Sequence, residues 1–223
     1  MQDDEPRALQ HLRLPSGWKL PSLPVSIAWT APAAAKAGLQ SVEFSWAGEI
    51  ARHVGSAVHR WMQRIAEDAL QGWDADRIEA LRGAFTNELA AFGVDATQCE
   101  AAVERVRAAL VKTLDDPRGR WLLGAQSEGR NEYRLGTFSQ GERHDWIIDR
   151  TFIDENRCRW IVDYKTSSHE GSDIEAFLDH EKTRYAAQLE RYAQLLGSEA
   201  PVRLGLYFPL LNGWREWVAA GGE

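Results

Sequence analysis

The chain has 223 residues, long for one domain and short for two, and its 44% hydrophobic and 26% charged residues are enough for one well-buried core, which excludes a disordered chain. Its two cysteines, Cys99 and Cys158, form no CxxC pair and exclude a disulfide framework, a zinc ribbon or an iron–sulfur cluster. The formal net charge of -7 argues against tight binding of a polyanion by this chain alone, unless metal ions neutralise a local centre and another domain holds the partner. No apolar run approaches the ~20 residues that span a bilayer. The opening residues Met1, Gln2, Asp3, Asp4 and Glu5 are acidic where an export signal is basic. A cytoplasmic protein without a membrane partner is expected.

Residues 1–45 read as a proline-rich arm or linker, with Pro6, Pro15, Pro21, Pro24 and Pro32 preventing continuous helix and Trp18 and Trp29 available to pin it to a surface. Such an opening suits a segment of a longer protein. Residues 46–223 read as the folded domain. From about Ala47 to Leu70, Ile50, Val54, Val58, Trp61, Ile65 and Ala69 recur at steps of three and four, the stripe of an amphipathic helix. Further helices are expected from about Asp76 to Phe92 and from Thr97 to Leu114, the last ending before Asp115, Asp116 and Pro117. Strands are expected at about Arg130 to Thr137, Asp145 to Ile153 and Arg159 to Thr166, then a helix from Ile174 to Leu196. Val202 to Leu210 and Trp214 to Val218 flank Asn212-Gly213, a hairpin signal. The order predicts an α/β fold, a mixed sheet flanked by helices and preceded by a helical segment.

Asp149 follows Trp146-Ile147-Ile148, and Asp163 and Lys165 interrupt Ile161-Val162-Asp163-Tyr164-Lys165, so ionisable groups sit inside apolar strands. Residues two apart share a strand face, which puts Asp163 beside Lys165 and turns Val162 and Tyr164 the other way. If the intervening loop is centred on Asn156, Asp149 lies opposite Asp163 with Cβ atoms roughly 5 Å apart; an even loop shifts the pairing by one. Two facing carboxylates call for a cation, and oxygen donors suit Mg²⁺. Lys165 on the same face suits stabilisation of charge developing on a phosphate. An isolated Asp-x-Lys is otherwise an edge-strand ion pair, the commoner meaning of such a pattern.

An Asp in one strand, a loop and Asp-x-Lys in the next resemble the signature of the PD-(D/E)xK nuclease superfamily. Gly55-Ser56-Ala57-Val58-His59-Arg60 resembles the G-[ST]-x-x-H helix motif of its RecB-like and AddA-like domains, Asp163-Tyr164-Lys165-Thr166 their DYK[ST], and Gln188 with Tyr192 their Q-x-x-x-Y. The resemblance implies a restriction-endonuclease-like fold, with His59, Asp149, Asp163 and the Tyr164 backbone carbonyl binding Mg²⁺ or Mn²⁺. It also implies that Lys165 acts at the scissile phosphate and that Gln188 and Tyr192 border the site or touch DNA. Without it, His59 reads as a core histidine and Gln188 with Tyr192 as a packing pair. Glu132, in the preceding strand, is a further possible acidic member.

The implied activity is a divalent-metal-dependent deoxyribonuclease, an exonuclease or endonuclease with exonuclease the leading choice, forming the C-terminal domain of a helicase–nuclease in double-strand break repair. DNA would arrive as a single-stranded end delivered by a UvrD-like helicase domain of the same longer chain, with an AddB-like partner subunit. Two positions depart from the pattern: bulky Trp146-Ile147-Ile148 where glycine is frequent, and Gln63 where an acid is frequent. The four-cysteine cluster of the AddB-like branch is missing, and no GxxxxGK[ST] motor motif occurs. The competing reading is a catalytically inactive module of the same fold that docks on DNA or a helicase.

Overall fold

The computed structural model describes residues 18–19, 46–139, 142–167 and 173–220. All elements lie in the compact unit Phe44–Glu223. The proline-rich arm expected over residues 1–45 lies outside the described residues, apart from Trp18 and Lys19.

Five helices come first: α1 (Trp46–Glu67), α2 (Ala75–Ala80), α3 (Arg82–Ala91), α4 (Ala96–Asp115) and α5 (Pro117–Leu123). The stripe on α1 is buried as its spacing requires, with Val54, Val58, Met62 and Ile65 fully enclosed. The single helix expected from Asp76 to Phe92 is split at Leu81. Asp74, Asp95 and Asp116 accept hydrogen bonds from backbone N–H groups in the first turns of α2, α4 and α5. Pro117 therefore does more than stop α4: with Asp116 as cap, it opens α5, a helix the periodicity did not announce.

The strands β1 (Ser127–Ser139), β2 (Glu142–Ile153), β3 (Arg159–Tyr164), β4 (Val202–Phe208) and β5 (Gly213–Val218) form one sheet in sequence order, and α6 (Ile174–Leu196) connects β3 to β4. The first three strands are an antiparallel meander, β3 and β4 run parallel, and β4 and β5 form the expected hairpin. Gly213 pairs with Phe208 as the first residue of β5, so the turn is the four residues 209–212, with Asn212 at φ 49°.

Helices α1–α5 pack on one face of the sheet against Phe152, Trp160, Val162, Tyr164 and Tyr207. The other face, with Ile148, Ile161, Leu204, Leu206 and Phe208, packs with Leu178 and Leu189 of α6. Strand β3 is covered on both sides, which is why its sequence is a nearly continuous apolar run and why a charge within it is costly.

Candidate active site

The register pairs Arg150 with Val162 and Ile153 with Arg159. The loop is thus centred on Asn156, and Arg150 with Val162 is the last pair of the ladder before Asp149 and Asp163. Asp163 is 5% exposed, on the face that α6 covers.

Strict alternation breaks at Asp149. Ile148 belongs to the core beneath α6, whereas Arg150 and Phe152 face the α1–α5 layer, although all three would share one face of a regular strand. The partner strand breaks at the matching place: Asn131 bonds to Arg150, Tyr133 packs on the α6 side, and Glu132 between them holds φ 45°, a left-handed conformation rare for a residue with a Cβ. Since Asn131 pairs with Arg150 and Tyr133 with Ile148, Glu132 stands opposite Asp149. The paired irregularity lets both carboxylates turn toward α1, where His59 waits.

Ligand-type atoms of His59, Glu132 and Asp149 all lie within 4.8 Å of one another. His59 Nδ1 is 3.5 Å from Asp149 Oδ1, and its Nε2 is 3.0 Å from the Tyr164 carbonyl oxygen. The N–H of Tyr164 donates to Asp149 Oδ2 at 2.7 Å. Tyr164 therefore offers its backbone to the site while its ring is buried on the helical side. Asp163 is engaged differently: its Oδ2 is 2.6 Å from Lys165 Nζ, and Gln188 Nε2 donates to Oδ1 at 3.4 Å. Gln188 also donates to the Tyr192 hydroxyl at 2.7 Å, as residues four apart on a helix can. The Lys165 ammonium stands 3.8 Å from the centre of the Tyr185 ring.

Burial pulls the His59 pKa down, but the charge and contact of Asp149, with Asp163 and Glu132 behind it, more than offset this and raise it to about 9. Burial and the Asp149 charge raise both Glu132 and Asp163, Lys165 opposing in the latter. For Lys165, burial acts downward and pairing with Asp163 wins, so it stays firmly cationic. A centre that strains to hold its own negative charge is one that a cation relieves.

Residues 35–210 match the family model of the PD-(D/E)XK nuclease superfamily. The chain belongs to that superfamily. No curated protein sequence matches it. Among solved structures, SSO0001 is similar at 16% identity and a TM-score of 0.29, over 71% of this chain and 74% of that one. Superfamily membership brings nuclease chemistry with divalent metals, and the donors present suit it: one imidazole nitrogen and two carboxylates, hard oxygen donors whose mutual repulsion a cation relieves. No helix among the described residues is long and apolar enough to cross a membrane.

The structure thus brings His59, Asp149 and the Tyr164 carbonyl together, sets Asp163 with Lys165 beside them, and places Gln188 and Tyr192 on the α6 side. Glu132, marginal from sequence, is nearer to His59 and Asp149 than a regular strand would have put it. Sequence reasoning missed Arg150 and Tyr185. Arg150 is 3% exposed and donates to the carbonyls of Leu122 and Gly124 at the end of α5 and to Asn131 Oδ1, at 3.0, 3.1 and 2.9 Å. It ties together the neighbours of Glu132 and Asp149 and has no carboxylate partner among the described residues. An arginine directly after Asp149, in a strand flanked by Ile147, Ile148, Phe152 and Ile153, was the available signal.

Proposed function

We propose that the domain hydrolyses phosphodiester bonds of DNA with Mg²⁺ or Mn²⁺ held by His59, Asp149 and Asp163, the Tyr164 carbonyl and Glu132 completing the donor set. The observation that carries this is the convergence of His59, Glu132 and Asp149 within 4.8 Å beside the Asp163–Lys165 pair. A divalent ion bound there polarises a phosphate oxygen and lowers the pKa of a water. Lys165, kept charged by Asp163 and held over Tyr185, presents an ammonium to the negative charge that grows on the phosphate. Asp149 orients His59 through Nδ1, leaving Nε2 directed at the Tyr164 carbonyl. Gln188 holds Asp163 from behind, and Tyr192 holds Gln188.

The motifs around Gly55, Asp163 and Gln188 support a RecB-like or AddA-like exonuclease role in break repair, in the cytoplasm. The helicase domain and AddB-like subunit that the sequence resemblance implies would deliver a single-stranded end. An overall charge of -7 supports partner-supplied DNA affinity and also motivates the second reading, an inactive docking module. The two separate on Asp163→Ala and Lys165→Ala: both abolish Mn²⁺-dependent cleavage of single-stranded DNA with circular dichroism unchanged. Equal cutting by both variants defeats the assignment, and absence of Mn²⁺ binding in calorimetry favours the docking module.

A further inference from the structure

Two clefts meet at Ser56 and His59 on α1. One, about 770 Å³, lies between α1, α4, the end of β3 and α6; its charged walls are Arg52, Arg105, Lys165 and Arg184, and no carboxylate among the described residues lines it. The other, about 540 Å³, lies between α1 and β1; it carries Arg60 and Arg134, and Glu132 is its single carboxylate among the described residues. Arg60, exposed, is paired with Glu88 at 2.8 Å, and Arg134, also exposed, stands beside Glu132. The donor cluster of His59, Glu132 and Asp149 lies where the clefts join, and Lys165 opens into the first of them. In a chain of net charge -7, cations on both sides of the acidic centre are a local reversal of sign, which governs where a phosphate backbone settles.

We propose that a single nucleic-acid strand runs through this site, its backbone held by Arg52 and Arg184 on one side of the scissile phosphate and by Arg134 on the other. This rests on the nuclease reading of the site. A strand end then becomes one way in, not a requirement, and a strand without ends is a substrate. The sequence-tolerant contacts are to phosphates, so the path carries no base preference.

The test has two arms. In the first, anisotropy of a fluorescein-labelled oligothymidylate is followed in EDTA, where nothing is cut, for the full chain and for Arg134→Ala and Arg184→Ala. Each variant weakens binding at least about fivefold and lowers the slope of log affinity against log salt by about one. Both side chains are exposed, so the fold is unaffected. Unchanged binding by either variant overturns the path. In the second arm, with Mn²⁺, a closed single-stranded circle and the same strand linearised are cut at comparable initial rates. A degraded linear strand beside an intact circle overturns the proposal. Cutting of neither overturns the nuclease reading, and the strand path then stands or falls on the binding arm.

Discussion

A Cβ added at Gly55 would stand 2.9 Å from Oγ1 of Thr166. The missing side chain at position 55 eases the approach of helix α1 to the end of β3, where His59 meets the Tyr164 carbonyl. Gly55→Ala gains helix propensity, about 1 kcal/mol, and loses it to this crowding. In a Thr166→Ala background the crowding is gone. The expected coupling between the two substitutions is about 1 kcal/mol in urea unfolding, with the double variant the more favourable; strict additivity counts against the contact.

The ammonium of Lys165 over Tyr185 predicts a graded series. Tyr185→Phe keeps the ring and stays near the parent rate, whereas Tyr185→Leu lowers kcat about three- to thirtyfold, the worth of a partly desolvated cation–π contact. Mn²⁺ affinity stays unchanged in both, since Tyr185 touches no metal donor. A Phe variant as slow as Leu would locate the effect in the hydroxyl.

His59 sets the pH response. Its pKa in the fold, about 9, is above the ordinary 6.5, so its contribution to the metal-free fold is fully present below about 6.5 and lost as pH rises through about 9. A metal takes the neutral imidazole and must displace that proton. Mn²⁺ affinity therefore climbs with pH up to about 9, about tenfold per unit for this one proton, and close to one proton is released from His59 per ion near neutrality. Calorimetry in two buffers of different ionisation enthalpy measures the release. His59→Gln flattens the profile, and a flat profile in the parent protein contradicts the assignment.

Arg150 is a buried cation satisfied by carbonyls, and burial pulls its pKa down. Arg150→Met strands the carbonyls of Leu122 and Gly124 and the Asn131 amide, at a cost of about 3 kcal/mol or more in urea unfolding. One ammonium cannot replace a three-point fork, so Arg150→Lys recovers only part. Near-parent stability of Arg150→Met would show that these bonds contribute little.

Much of this site was readable from the chain because it obeys local periodicity. The step from Asp163 to Lys165 is one strand period, the spacing of Gln188 and Tyr192 is one helical turn, and the pairing of β2 with β3 has the loop centred on Asn156. What was not readable are departures from periodicity. Glu132 reaches His59 because its own φ is positive and the strands change faces there, and no count of alternating residues contains that. Helix α5 was hidden because Pro117, taken as a terminator, equally serves a first turn. The roles of Arg150 and Tyr185 depend on elements far away in sequence, α5 for one and the approach of α6 to β3 for the other.

The bond between His59 and the Tyr164 carbonyl spans 105 positions of chain. Contacts of that separation form late, after the local helices. During synthesis His59 emerges long before Asp149 and Asp163, and the pieces that pin Asp163, Gln188 on α6 and the parallel strand β4, come later still. A chain interrupted before α6 carries His59, Glu132, Asp149 and Asp163 without the packing that holds them in one place. The donor cluster is thereby among the last features of the domain to be fixed in place.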